Sequence, residues 1–262
     1  MDFLISFANH KGGVAKTTST LAVGGALAEM GQKVLLIDLD PQANLTLAMG
    51  RRPERLKRSM ADVLMGGHRI QFILEETDVT NLHLAPANHE LVLAEQHLVV
   101  RDGFEFLLNT AIGGLDQYDI ALIDCPPALG PLTHCALTAS NLLVIPTQCE
   151  FFSAHALGPL LSLIRSIRQR TNPQLGYRLL LTMLDRENTL QQTLCKQIRG
   201  AFKSAVFDTL IEIDPHVSES PLHSLPITAF APNSQGAKQY RQLAQELTTY
   251  ARNIVKGSTQ AN

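Results

Sequence analysis

The stretch that most constrains this chain lies near its start. An apolar run, Phe3-Leu4-Ile5-Ser6-Phe7, leads into Lys11-Gly12-Gly13-Val14-Ala15-Lys16-Thr17-Thr18, which opens into a segment of helical character from Ser19 to Met30. A strand that turns through glycines into a helix aims several backbone N–H groups and the positive helix end at one point, which suits a polyphosphate. Lys16 adds a point charge for the β- and γ-phosphates, and the Thr17 hydroxyl is a candidate Mg²⁺ ligand. Gly12, Gly13, Val14, Ala15 and Thr18 complete the candidate cradle. The strict G-x-x-x-x-G-K-S/T pattern is broken, because His10 and Ala15 stand where its glycines belong. A second lysine, Lys11, takes a place beside the turn.

Around this loop the chain alternates short β-rich runs with longer segments of helical period. That pattern predicts βαβ units wound into one α/β domain over residues 1–262, a doubly wound, mostly parallel sheet with helices on both faces. Strands are expected at Leu4–Ala8, Val34–Asp38, Leu82–Pro86, Ile120–Asp124, Leu142–Pro146, Arg178–Leu184 and Leu210–Ile213. Helices are expected at Thr18–Met30, His89–Ala111, Ser153–Gln169, Thr189–Ala205 and Gln235–Val255, followed by a polar tail over 256–262. With 262 residues and 45% hydrophobic content the chain can bury a substantial core. Its formal net charge of −2 means that any affinity for nucleic acid must come from a local patch. Four cysteines without C-x-x-C spacing point to reduced thiols, and the lack of a signal-like or long apolar span to a cytoplasmic protein.

Two further motifs fall at the carboxyl ends of expected strands, where open parallel sheets bind ligands. In Leu36-Ile37-Asp38-Leu39-Asp40-Pro41-Gln42-Ala43-Asn44 two carboxylates lie close together and could face a metal–phosphate site, although Asp-Pro and Asn are also ordinary turn residues. In Ile120-Ala121-Leu122-Ile123-Asp124-Cys125-Pro126-Pro127 an apolar strand ends in an acid.

The double-lysine loop, D-x-D-P-Q-x-N and D-x-P-P, in this order, resemble the ParA/MinD class of deviant Walker A ATPases. The likeness is to the ParA branch without an N-terminal DNA-binding domain, which includes partition ATPases and McdA-like positioning ATPases. It implies an ATP- and Mg²⁺-dependent homodimer in which Lys16 serves its own nucleotide and Lys11 reaches the partner's. It further implies that Asp38 positions the attacking water, that Asp40 supports the Mg²⁺ shell, and that Asp124 holds the ion. Hydrolysis would be slow and stimulated by a ParB-like or McdB-like adaptor. Downstream, Ile145–Phe152 is similar to the family's strand end near the dimer interface. Leu181–Asp185, with Met183, and the loop carrying Pro232 are similar to its adenine-side segments, and Ser218-Glu219-Ser220-Pro221 to another family stretch.

The same resemblance implies non-specific binding of double-stranded DNA, nucleoid association, and positioning of a plasmid, chromosome or protein organelle such as a carboxysome. Candidate DNA contacts are Arg165, Arg168, Arg170, Arg178, Lys196, Arg199 and Lys203; Arg51, Arg52, Arg55, Lys57 and Arg58 form a denser cluster. Ile211–Val217 lacks the I-P-R-N element that often carries a DNA-contacting arginine, which favours a cargo-positioning relative. A MinD-like membrane role would need a basic amphipathic C-terminus. Here Tyr240, Leu243, Leu247, Tyr250 and Ile254 form an apolar stripe better suited to docking on a core, and no membrane partner is expected. Iron–sulfur relatives would need cluster-binding cysteines in places that Cys125 and Cys135 do not fit.

Overall fold

The structure, a computed structural model, describes residues 3–150 and 153–259. Among the described residues seven strands form one sheet: β1 Phe3–Phe7, β2 Val34–Asp38, β3 Glu75–Glu76, β4 Leu82–Ala85, β5 Ile120–Asp124, β6 Leu142–Gln148 and β7 Gly176–Thr182. Their order is β3-β4-β2-β5-β1-β6-β7, parallel throughout except for the antiparallel edge strand β3. Every residue of β1, β2 and β5 is buried, as strands covered on both faces must be. Successive side chains feed two separate cores. Ile5, Leu36, Leu122 and Val144 join one, and Leu4, Ile37, Ile123 and Ile145 the other.

The first of these faces is covered by helix α1 (Lys16–Glu29) and by the long last helix, and the second by helices that connect the later strands. In chain order, α2 is Asn44–Ala48, α3 Met60–Gly66, α4 Leu91–Leu98, α5 Leu107–Ile112 and α6 Pro131–Ala139. They are followed by α7 Ser153–Arg170, α8 Thr189–Phe202, α9 Pro215–Glu219, α10 Ile227–Phe230 and α11 Gln235–Thr259. Helix α1 lies close on the sheet at Gly24, where an added Cβ would come within 2.7 Å of the Leu36 side chain. The stripe Tyr240, Leu243 and Leu247 of α11 is fully buried, with Tyr250 and Ile254 packed against the same core, as its spacing predicts.

Four differences from the sequence expectation have local causes. Leu210–Ile213 is no ladder strand: it makes one isolated parallel bridge, Leu184 to Glu212, and the Glu212 N–H is taken by the Gln239 side chain at 3.0 Å. The helix expected over His89–Ala111 is two helices, α4 and α5, separated by a turn in which Gly103 has φ +71°. The short elements β3, α2, α3, α6, α9 and α10 lie outside the expected ones. Helix α3 still carries a legible signal, a capping box in which Ser59 and Asp62 bond each other's backbone N–H. At the C-terminus the helix runs to Thr259, past the expected Val255, into the segment read as a polar tail, whose residues 260–262 lie outside the described residues. Phe151 and Phe152 of the expected interface segment also lie outside them.

Candidate active site

The loop between β1 and α1 has the shape its sequence predicts. Gly13 (φ +72°) and Ala15 (φ +67°) both adopt left-handed backbone, and no side chain caps the first turn of α1. The left-handed Ala15 carries strain that a Gly would not, and its persistence fits a site whose surroundings over-determine the loop. The uncapped N–H groups therefore remain available to an anion. Lys16 is nearly buried, its ammonium resting 3.5 Å from the Lys11 carbonyl. Val14 is buried outside the cavity wall, and its carbonyl accepts a hydrogen bond from Thr182 Oγ1 at 3.2 Å.

The two acidic motifs meet because β2 and β5 are neighbours in register, with Asp38 opposite Asp124. Thr17 Oγ1 donates to Asp124 Oδ2 at 2.6 Å, joining the loop to the end of β5. The other oxygen, Asp124 Oδ1, is buried without a hydrogen-bond partner. Asp38 is fully buried; its Oδ2 accepts from Thr46 N–H (2.9 Å) and Thr46 Oγ1 (2.7 Å), and its Oδ1 from Asp40 N–H at 3.1 Å. Burial pushes the Asp38 carboxyl up to about 7 against the Thr46 hydrogen bonds, with the Asp40 charge adding to the rise. Asp124 is also raised well above the ordinary carboxylate range, first by burial and then by the charge of Asp38. Two desolvated carboxyls side by side form a site that a cation would relieve.

Thr17, the hydrogen-bond partner of Asp124, lies on the wall of a cavity of about 740 Å³. Gly12, Gly13, Ala15, Lys16, Thr17, Thr18 and Asp40 line it, with Met183 at the end of β7. Asp38 and Asp124 do not reach the wall, Asp124 touching it through Thr17, and neither does Pro232, whose carbonyl instead accepts from Arg241 at 2.6 Å. The far wall is built by residues that sequence reasoning assigned elsewhere or missed: Ile211, Glu212, Ile213 and Asp214, then Val217, Pro221 and Leu222. Exposed Ile213, Leu222 and Met183 give that end an apolar rim suited to a flat heterocycle. The S-E-S-P stretch, which supplies Ser218 and Pro221, was the available signal. Glu95 on α4 was missed altogether; burial, followed by the charge of Asp40, raises its carboxyl.

The remaining candidates separate by their partners. Arg168 and Arg199 donate to the Leu175 and Asp208 carbonyls at 2.7 and 2.9 Å, and Arg178 lies over the Tyr250 ring at 4.9 Å. Arg165 is exposed and bonds to its own helix, at the Leu161 carbonyl (3.3 Å) and Ser162 Oγ (3.5 Å), while Arg170, Lys196 and Lys203 are exposed. Of the other cluster, Arg51 pairs with Glu75, whereas Arg52, Arg55, Lys57 and Arg58 are exposed. All four cysteines are buried, and burial pushes Cys135 and Cys149 up to about 12 and Cys125 higher still. Such thiols are poor cluster ligands. No helix among the described residues is long and apolar enough to cross a membrane.

A family model described as "AAA domain" matches residues 3–177. The chain is 38% identical over 249 residues to the sporulation initiation inhibitor protein Soj of Bacillus subtilis, covering 94% of this chain and 98% of Soj. It is 35% identical over 246 residues to the chromosome partitioning protein ParA of Myxococcus xanthus, covering 93% and 87% of the two chains. A Mycobacterium smegmatis structure named cobyrinic acid a,c-diamide synthase, with bound ADP and magnesium, superposes with a TM-score of 0.85 at 35% identity over 96% of each chain. Apo McdA from Cyanothece shares the fold, with a TM-score of 0.81 at 18% identity over 93% of this chain and 99% of that one. On its double-lysine loop, its paired acidic strand ends and these relatives, the chain belongs to the ParA/MinD family of P-loop ATPases.

Proposed function

We propose that the protein is an ATP-dependent dimerising ATPase that binds double-stranded DNA without sequence preference and positions or segregates a cargo over the nucleoid. A partner protein stimulates its hydrolysis. The observation that carries this reading is the junction of Thr17, Asp124 and the phosphate loop, with the unpartnered, buried Asp124 Oδ1 beside it. Thr17 and Asp124 fit Mg²⁺, which binds proteins through few carboxylates and takes its remaining ligands from water and phosphate. Asp40, on the cavity wall, supports the same shell. The M. smegmatis relative with bound ADP or ATP analogue and magnesium supports both ligands.

Within this site the loop N–H groups and Lys16 bind and orient the triphosphate, while bound Mg²⁺ neutralises charge that builds on its oxygens. Asp38 stands opposite Asp124, where its ionisation depends on the nearby charge, and it orients water at the γ-phosphate through the loop it anchors at Thr46. Lys11 completes the charge on the partner's nucleotide, so two chains clasp two ATP molecules. Met183, and the loop of Pro232 from outside the wall, bound the base end. The exposed cations Arg165, Arg170, Lys196 and Lys203 supply salt-sensitive phosphate contacts. Soj and ParA relatives support partition, and an adaptor of ParB or McdB type defines the cargo.

The test combines sedimentation of the full chain with and without Mg·ATP and retention of random-sequence DNA across a salt series. ATP-dependent dimers that hold DNA at low salt and release it as salt rises are expected. A chain that stays monomeric with ATP, or that pellets with anionic vesicles and ignores DNA, overturns the reading in favour of another function or of the membrane-bound branch.

A further inference from the structure

Lys11 and Lys16 belong to one loop but are sent in different directions. Lys16 turns inward to the cavity floor, whereas the Lys11 ammonium reaches the end of β6, donating to Gln148 Oε1 at 2.9 Å and pairing with the Glu150 carboxylate at 2.5 Å. Gln148 is itself pinned, because its Nε2 donates to the Gly13 carbonyl at 3.3 Å and to Met183 Sδ at 2.9 Å. Its Oε1 is thereby presented to Lys11 by contacts to both the phosphate loop and β7. The Lys11 backbone is held as well, its N–H donating to Asn9 Oδ1 at 3.0 Å.

A loop with two lysines beside a bound triphosphate has an obvious failing: both cations are drawn to the same phosphates. A lone chain that spent Lys11 on its own nucleotide would have none to offer a partner. We propose that Glu150 is a positioning residue that stores Lys11 in the lone chain, and that dimerisation exchanges the Glu150 carboxylate for the partner's phosphates. This rests on the sandwich reading above. The pair suits a reversible store, since both side chains are partly exposed, at 36% and 50%, and the contact is therefore weak and screened. A buried pair would hold the lysine too tightly to release.

Because each protomer gives up one such pair, Glu150→Gln should dimerise at a lower protein concentration than the native chain, by roughly 2- to 30-fold for two half-exposed pairs. Sedimentation of the full chain in Mg²⁺ and a non-hydrolysable ATP analogue reads this directly, with circular dichroism to establish that the variant is folded. The advantage should shrink as KCl is raised, because salt already loosens the native pair. It should vanish when Lys11→Gln is added, an outcome that a general effect of surface charge would not produce. Equal dimerisation of the native and Glu150→Gln chains overturns the store and leaves the sandwich standing. Weaker dimerisation of Glu150→Gln also overturns it, and places Glu150 in the interface as an attractive group. If neither chain dimerises, the sandwich reading fails and the store with it.

Discussion

The carboxyl ends of β1, β2 and β5 and the outer surface of α7 and α8 both carry charge, but they treat it in opposite ways. At the strand ends Lys16, Asp38, Asp40 and Asp124 are withdrawn from water and fixed by neighbours, such as Thr17 on Asp124 and Thr46 on Asp38. On the helices Arg165, Arg170 and Lys196 stand in solvent, as does Lys203 just past the end of α8. Burial makes each strand-end charge costly and therefore sensitive to a single atom, whereas solvated charges act as a sum. One change should silence the first region, and only several together should dim the second.

Lys16→Ala is the severest challenge to the first region. It should abolish ATP binding in equilibrium dialysis, while Lys11→Ala retains binding and loses hydrolysis; equal behaviour of the two variants would erase the division of labour between them. Asp38→Ala comes next, and should keep nucleotide and accumulate as dimer with hydrolysis reduced at least 100-fold, a loss typical of removing one positioning or proton-handling group. Full turnover in that variant would take the role from Asp38.

A third measurement sharpens the comparison through proton linkage. The native Asp38 carboxyl holds its proton up to about pH 7, against an ordinary value of 3.8, so the folded chain binds more protons than the unfolded one between those limits. Stability without nucleotide should therefore fall as pH rises through that window. Melting curves of Asp38→Asn should show a flatter dependence, and an unchanged slope would mean that the carboxyl titrates normally. The smallest effect belongs to the solvated region. Single reversals at Arg165 or Lys196 should weaken DNA retention only about two- to fivefold and lower the salt slope by about one unit each, and a slope unmoved by both would remove this face from DNA.

The contrast also explains what the chain made legible. Residues 11–18, 38–44 and 124–127 act through backbone shape and adjacent strand ends, so short motifs carry them, and the apolar strands between them carry the sheet. The far wall of the cavity was not legible in the same way. Pro221 and Leu222 come from a segment with neither strand nor long-helix period, and Leu210–Ile213, which supplies Ile213, imitates a strand while its Glu212 N–H is claimed by Gln239. Pro232 was matched by its neighbours in sequence, but its carbonyl is held by Arg241 of the helix that follows, a side-chain contact that no motif announces. Helix α4 ends at Leu98, and Gly103 then turns the chain toward α5, a cue outweighed in the sequence by the apolar run around Val99 and Val100.

Helix α11 has a consequence for how the protein comes into being. Tyr240 sits behind the phosphate loop, its hydroxyl 3.1 Å from Ser19 Oγ in the interior of the molecule, and Leu243 and Leu247 complete the packing beneath α1. The support of the first functional segment thus comes from 221 residues away along the chain. A chain in which α11 has not docked keeps its lysines and glycines but lacks the brace behind α1, so the loop and this distant helix take shape as one cooperative unit.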